Sequence, residues 1–206
     1  MPETTQFTIG VTARCTDGVC GQVTQVVLDP IKDKITHLIV EPAHRQGLGR
    51  LVSIELVDVA TDHIDLRCTR AEFDDLEIAE EIRFLPGTEG YPGFESDQML
   101  LLPYFGSNTA EPVVEDTLPI GEVSVQRGEK VYATDGLIGE VEGLIADRDS
   151  FHVSHVLLKE GHLFSRKDVA IPIGAVRAVD ADGIQLSMSK HDVGDLPAVG
   201  FRHPGK

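Results

Sequence analysis

His152, His155 and His162, with Asp147 and Asp149 just upstream, form the densest run of metal-capable side chains in the sequence. Zinc chemistry needs about three protein ligands converging on one point with a position left open. On an extended strand His152 and His155 stand an odd number of residues apart and face opposite sides, so they converge only where a bulge intervenes. His155 also falls at the same place as His37 in the internal repeat described below, which points to a structural role. Asp17 with Asp135, and Asp29 with Asp147, can be read as paired carboxylates for acid–base work. Asp17 and Asp135 each precede a glycine, however, and Asp-Gly is the ordinary chemistry of a tight turn. Ser, His and Asp occur without the Gly-x-Ser-x-Gly nucleophile elbow. Gly-x-x-x-x-Gly-Lys followed by Ser or Thr, the phosphate-cradling loop, is absent. The expectation is a protein without catalytic residues, bound metal or cofactor.

The thiols are Cys15, Cys20 and Cys68, an odd number. The segment Met1 to Gly10 lacks the basic cluster and apolar run of a signal peptide, so free thiols in a reducing cytoplasm are expected. Cys15 and Cys20 flank Asp17-Gly18, and a bridge between them requires a bulge to adjust the register. The longest continuous apolar runs are only a few residues, such as Leu100-Leu101-Leu102, against about 20 for a spanning helix.

The elements that must position these groups follow from a repeat. A shift of 118 residues lays Gly10 to Val23 on Gly128 to Val141, with Asp17-Gly18-x-x-Gly21 on Asp135-Gly136-x-x-Gly139. The match continues through Asp29 on Asp147, His37 on His155 and Leu38-Ile39-Val40 on Val156-Leu157-Leu158. A one-residue slip brings Val52-x-Ile54-x-Leu56 onto Val169-x-Ile171-x-Ile173, and Ile64-x-Leu66 falls on Ile184-x-Leu186. Two copies with so long a period are tandem domains rather than a solenoid, and each is expected to carry its own core. Apolar residues alternate with period two in short β-branched runs, the pattern of half-buried strands. Asp17, Gly18, Asp135 and Gly136 are the turn residues, and Gly21 and Gly139 mark a bulge or sharp bend in the following strand. Five or so such strands favour a small barrel. Thr69-x-x-Glu72 and Ser189-x-x-Asp192 read as capping boxes that open a short helix after each sheet.

These residues resemble the PRC-barrel family, first described in the H subunit of the photosynthetic reaction centre and used as the C-terminal domain of a ribosome maturation factor. Asp-Gly-x-x-Gly-x-Val, the apolar strand ending at Asp29 or Asp147, and Val169-x-Ile171-Pro172-Ile173 carry the resemblance, with Glu55 standing in the first copy where the second has Pro172. It implies an all-β chain of two small antiparallel PRC-type barrels, each with a short flanking helix: 7–76, a connecting segment 77–124, 125–197, and a tail 198–206. It also implies docking roles rather than an enzymatic one.

Thirty-four acids against eighteen bases leave a net charge of -16. Such a field repels nucleic-acid backbones and anionic lipid, and favours a basic protein partner. Residues 77–127 hold ten acids and two bases, together with five of the eleven aromatics: Phe84, Tyr91, Phe94, Tyr104 and Phe105. A plain flexible linker is rich in Gly and Ser instead. Rings spaced by prolines and carboxylates either fold back onto the domains or present themselves to a partner. Exposed large apolar groups are a liability, which favours packing within the chain. Gln46-Gly47-Leu48-Gly49-Arg50 and Lys159 to Lys167 occupy matching places, and Arg45, Arg50, Arg166 and Lys167 make them the most basic local stretches. They are read as solvated hairpin loops, or as partner-binding loops that orient an acidic partner or the other copy's acidic surface. The functional expectation is a non-enzymatic cytoplasmic interaction module with no direct nucleic-acid contact and no membrane insertion, and with strand edges that leave homodimer pairing open. A peripheral accessory subunit of a membrane or electron-transfer complex is the alternative. A metal-dependent enzyme around His152, His155 and His162 ranks behind it.

Overall fold

The computed structural model describes residues 4–43, 49–60, 62–85, 111–116, 118–160, 168–180 and 182–200. Those residues are mostly β, in two seven-stranded sheets, with each copy's own strands followed in the chain by a short helix and a separate two-stranded ribbon between the copies in the chain. The ribbon pairs β8 (Glu80–Leu85) with β9 (Glu111–Asp116), Glu80 opposite Asp116 and Leu85 opposite Glu111.

The first sheet runs β5-β4-β3-β2-β7-β6, from β2 (Thr12–Cys15), β3 (Gly18–Asp29), β4 (Lys34–Pro42), β5 (Arg50–Ser53), β6 (Val57–Val59) and β7 (His63–Leu66). The second repeats it as β14-β13-β12-β11-β16-β15, from β11 (Lys130–Ala133), β12 (Gly136–Asp147), β13 (Val153–Glu160), β14 (Asp168–Pro172), β15 (Val176–Asp180) and β16 (Gly183–Leu186). The pairing is antiparallel except at one place in each sheet, where β2 meets β7 and β11 meets β16 in parallel. The chain reaches those partners only after its outer strands have turned through a 3-10 turn, Ile54–Leu56 or Ile173–Ala175, and so arrives in the same direction.

Each sheet is completed by a strand from the other copy. The strand β1 (Thr4–Thr8), which leads the first copy, pairs with β12 of the second, Phe7 opposite Leu144. The strand β10 (Val123–Gln126), which leads the second copy, pairs with β3 of the first, Val125 opposite Val26. Both crossings occur at a glycine with positive φ, Gly10 at 98° and Gly128 at 83°, a conformation that L side chains rarely adopt. Each glycine then donates back into its own copy, Gly10 N to Val23 O and Gly128 N to Val141 O, both at 2.8 Å. The copies also meet at Lys34 and His152, where Ile35 N donates to Phe151 O at 3.0 Å and Val153 N to Asp33 O at 2.7 Å. These two bonds exchange places under the repeat, so a local two-fold relation runs between them.

The expectation of two separate cores is therefore corrected: one buried cluster runs from Phe7 and Val26 through Leu144, Val156 and Ile171. A two-stranded exchange puts each copy's leading side chains inside its neighbour. The pairing of the outer strands is also corrected. Leu38 lies opposite Val52 and Val156 opposite Ile171, so Val52 corresponds to Ile171 rather than Val169. A slip of two residues keeps every side chain on the same face, and alternation alone cannot detect it.

The helices α1 (Arg70–Asp74) and α2 (Lys190–Gly194) both open with the expected capping box, on Thr69 with Glu72 and Ser189 with Asp192. Their buried residues are Phe73 and Val193. Asp17 and Asp135 contribute a second bond at each helix start: Arg70 N donates to Asp17 Oδ1 and Lys190 N to Asp135 Oδ1, both at 2.8 Å. The turn aspartate thus satisfies an orphan helix N–H from more than fifty residues away. Replacing Asp17 or Asp135 by Ala is expected to lower stability by about 1 kcal/mol each, and Asn to restore most of it, as read by chemical denaturation.

Candidate functional site

The two Asp-Gly hairpins are the most complete constellation shared by the copies. Gly18 and Gly136 hold φ of 139° and 122° at the turn. The ladder then slips at Cys20 and at Ile138, so the bulged residue is the one before Gly21 and Gly139 rather than the glycine itself. The glycines serve a different need. A Cβ on Gly21 would run into the carbonyl oxygen of Glu41, and one on Gly139 into that of Lys159. At the same hairpins Val19 and Leu137, matched in the repeat, remain 49% and 48% exposed. Val19 lies opposite Arg14 and Leu137 opposite Tyr132. Each hairpin therefore shows an apolar side chain beside an acidic turn, at two places related by the repeat.

The carboxylates weighed as acid–base pairs are engaged locally. Asp29 Oδ1 accepts from Ile31 N and Lys32 N, and Asp29 Oδ2 meets Lys32 Nζ at 2.8 Å. Asp147 Oδ1 accepts from the N–H groups of Asp149 and Ser150 and from Ser150 Oγ. The lysine beside Asp29 and the serine beside Asp147 hold both carboxyls below their ordinary range. Neither is tuned to take up a proton near neutrality.

The histidines separate. His37 Nδ1 stands 3.3 Å from Glu122 Oε2, which also accepts from Thr36 Oγ1 at 2.7 Å. His155 Nδ1 instead stands 3.0 Å from Ser154 Oγ, and His152 lies at the junction opposite Lys34. His162 lies outside the described residues. Among the described residues no group of three or more His, Cys, Asp or Glu is placed to hold a metal ion.

Two charged features at the crossings escaped the sequence reading. Glu142 is 7% exposed on β12, with Arg127 Nη2 at 2.8 Å and Lys159 Nζ at 3.5 Å. Its matched residue in the first copy is Thr24, so no repeat signal marks it. Glu129 falls where the first copy has the buried Val11; it accepts from Gln126 N at 3.0 Å, and burial pushes its carboxyl up. A carboxyl raised in the folded state favours folding most below its unfolded pKa, and that advantage is lost as the pH rises through the folded value. Glu129→Gln is therefore expected to raise the melting temperature at pH 7, the gain fading on acidification through the carboxylate range.

Arg50 is corrected from loop cation to interior residue. It opens β5 opposite Val40, is 7% exposed, and its Nη1 donates to Leu76 O at 3.2 Å. Its place in the ladder matches Val169, a core position, so the side chain points inward with the rest of that face. Arg45, Arg166, Lys167, Tyr91, Phe94, Tyr104 and Phe105 lie outside the described residues. Phe84 falls on β8, its backbone opposite Pro112. No helix among the described residues is long and apolar enough to cross a membrane.

No protein-family model matches the chain, and no curated protein matches it.

Proposed function

We propose that this chain is a tandem of PRC-barrel-like domains that acts as a non-enzymatic cytoplasmic docking module for a basic protein. The observation that carries the reading is the reciprocal strand exchange, which builds the two hairpins with their half-exposed Val19 and Leu137 into one folded body. Two like sites in one folded body strengthen binding when both engage a partner at once. The charge of -16 supplies attraction toward a cationic partner and repels nucleic acid. The resemblance in the Asp-Gly-x-x-Gly hairpins and the capped helices supports the same reading, because that family is used for docking.

The test compares capture from host lysate, at low and moderate salt, by the full chain and by Val19→Asp, Leu137→Asp and the double variant, with washed membranes handled in parallel. A stoichiometric basic protein that weakens with salt, weakens further with each single variant and is lost with the double supports the module. An unchanged capture profile across the variants removes the hairpins from the proposal. A partner found only in the membrane fraction moves the assignment to an accessory subunit.

A further inference from the structure

All of the chain's cysteines meet at one end of the first domain. Cys15 ends β2, Cys20 is the bulged residue of β3, and Cys68 lies just before α1; they are 7%, 6% and 7% exposed. Cys15 Sγ and Cys68 Sγ are 4.0 Å apart although 53 residues separate them in the chain. Cys20 Sγ is directed at Ala13 O, at 3.4 Å. The backbone holds the pair in register, since Thr16 N donates to Cys68 O at 2.9 Å, and the second copy makes the same bond from Thr134 N to Met188 O. That copy places Ala133, Ile138 and Met188 at the three cysteine positions. The fold thus needs apolar side chains here and does not need a thiol. Three thiols gathered at one end of one copy go beyond what packing requires.

We propose that Cys15 and Cys68 are an oxidative modification site, a thiol pair that low-molecular-weight disulfides convert to an intramolecular disulfide tying the end of β2 to the start of α1. The Cys68 sulfur attacks one sulfur of the oxidant, whose S–S bond breaks and releases one thiol. The Cys15 sulfur then attacks the Cys68 sulfur of the mixed disulfide, forms the new S–S bond and expels the second thiol. The two protein thiols give up two protons and two electrons, and both end on the two released thiols. Cys20 also lies within reach of Cys15, but its thiol is directed at Ala13 O and stays out of the bridge. Burial pushes Cys15 up to about 12 and Cys68 up to about 11, so both thiols are protonated at neutral pH and the reaction is slow.

The full chain is incubated with glutathione disulfide, quenched in acid and mapped by peptide mass spectrometry. The expected product has lost the mass of two hydrogens, links Cys15 to Cys68, leaves Cys20 free for alkylation after unfolding, and melts at a higher temperature than the reduced chain. Its rate of formation rises close to tenfold per pH unit between about pH 7 and 9, as thiolate attack requires. Cys15→Ala and Cys68→Met, which install the second copy's own residues, abolish the link, whereas Cys20→Ile retains it. A link that includes Cys20, an accumulating mixed disulfide without closure, or three free thiols under conditions that oxidise a simple dithiol would each overturn the proposal. Should either abolishing variant misfold, the peptide map of the unaltered chain decides alone.

Discussion

Replacing Phe7 by Ala loosens the second copy's sheet most, not that of the copy whose sequence it begins. Phe7 is 1% exposed, lies opposite Leu144 on β12, and sets its ring edge-on to Phe151 with centroids 6.3 Å apart. Truncating a buried phenylalanine costs about 3–5 kcal/mol through lost transfer energy and the cavity left behind. Residue-resolved hydrogen exchange on Phe7→Ala is expected to show the largest loss of protection across Gly143 to Asp147, the stretch that β1 covers. Losses centred on Val26 and Val27 of β3 would mean that the leading strand returns to its own copy, and would remove the exchange.

The second large effect is expected at Gly21 and Gly139. Alanine at either position drives a methyl group into a backbone carbonyl oxygen of the neighbouring strand, Glu41 in one copy and Lys159 in the other. A backbone atom in a paired strand cannot swing aside as a long side chain can. The strands must part locally, and the cost is expected to reach about 3 kcal/mol, the upper end for overpacking. Urea denaturation of Gly21→Ala and Gly139→Ala measures it, with Gly174→Ala as the control because nothing lies within 4 Å of a Cβ there. Equal stability of all three would remove the close approach as the reason for those glycines.

The features legible in the sequence are those whose cause is local. Asp17-Gly18 and Asp135-Gly136 need positive φ at the turn, and Thr69 with Glu72 or Ser189 with Asp192 satisfy each other within four residues, so composition and spacing reveal them. The exchange is not legible, because the two copies share one apolar pattern and β1 fits β3 or β12 by alternation alike. The same degeneracy hid the two-residue slip at Val52. Arg50 read as a loop cation because charge is normally an outside signal, yet its register opposite Val40 turns it inward. Cys68 showed no link to Cys15 because their neighbourhood arises from the parallel pairing of β2 and β7, which no local motif encodes. The carboxylate pairs resolved in the opposite direction: Asp29 and Asp147 each serve the turn they begin.

The crossing at Gly10 and Gly128 has a consequence for how such a protein varies. Two identical single-copy chains exchanging leading strands would form a pair whose population obeys mass action and falls on dilution, and every substitution would appear in both halves at once. Here both halves belong to one polypeptide, so dilution does not part them. Each half is also free to carry a residue that the other could not tolerate. Arg50 is buried in one half where the other has Val169; Glu142 draws its two cations in one half alone; the cysteines gather at one end only. The asymmetry of an otherwise two-fold body is thus where its individual properties reside.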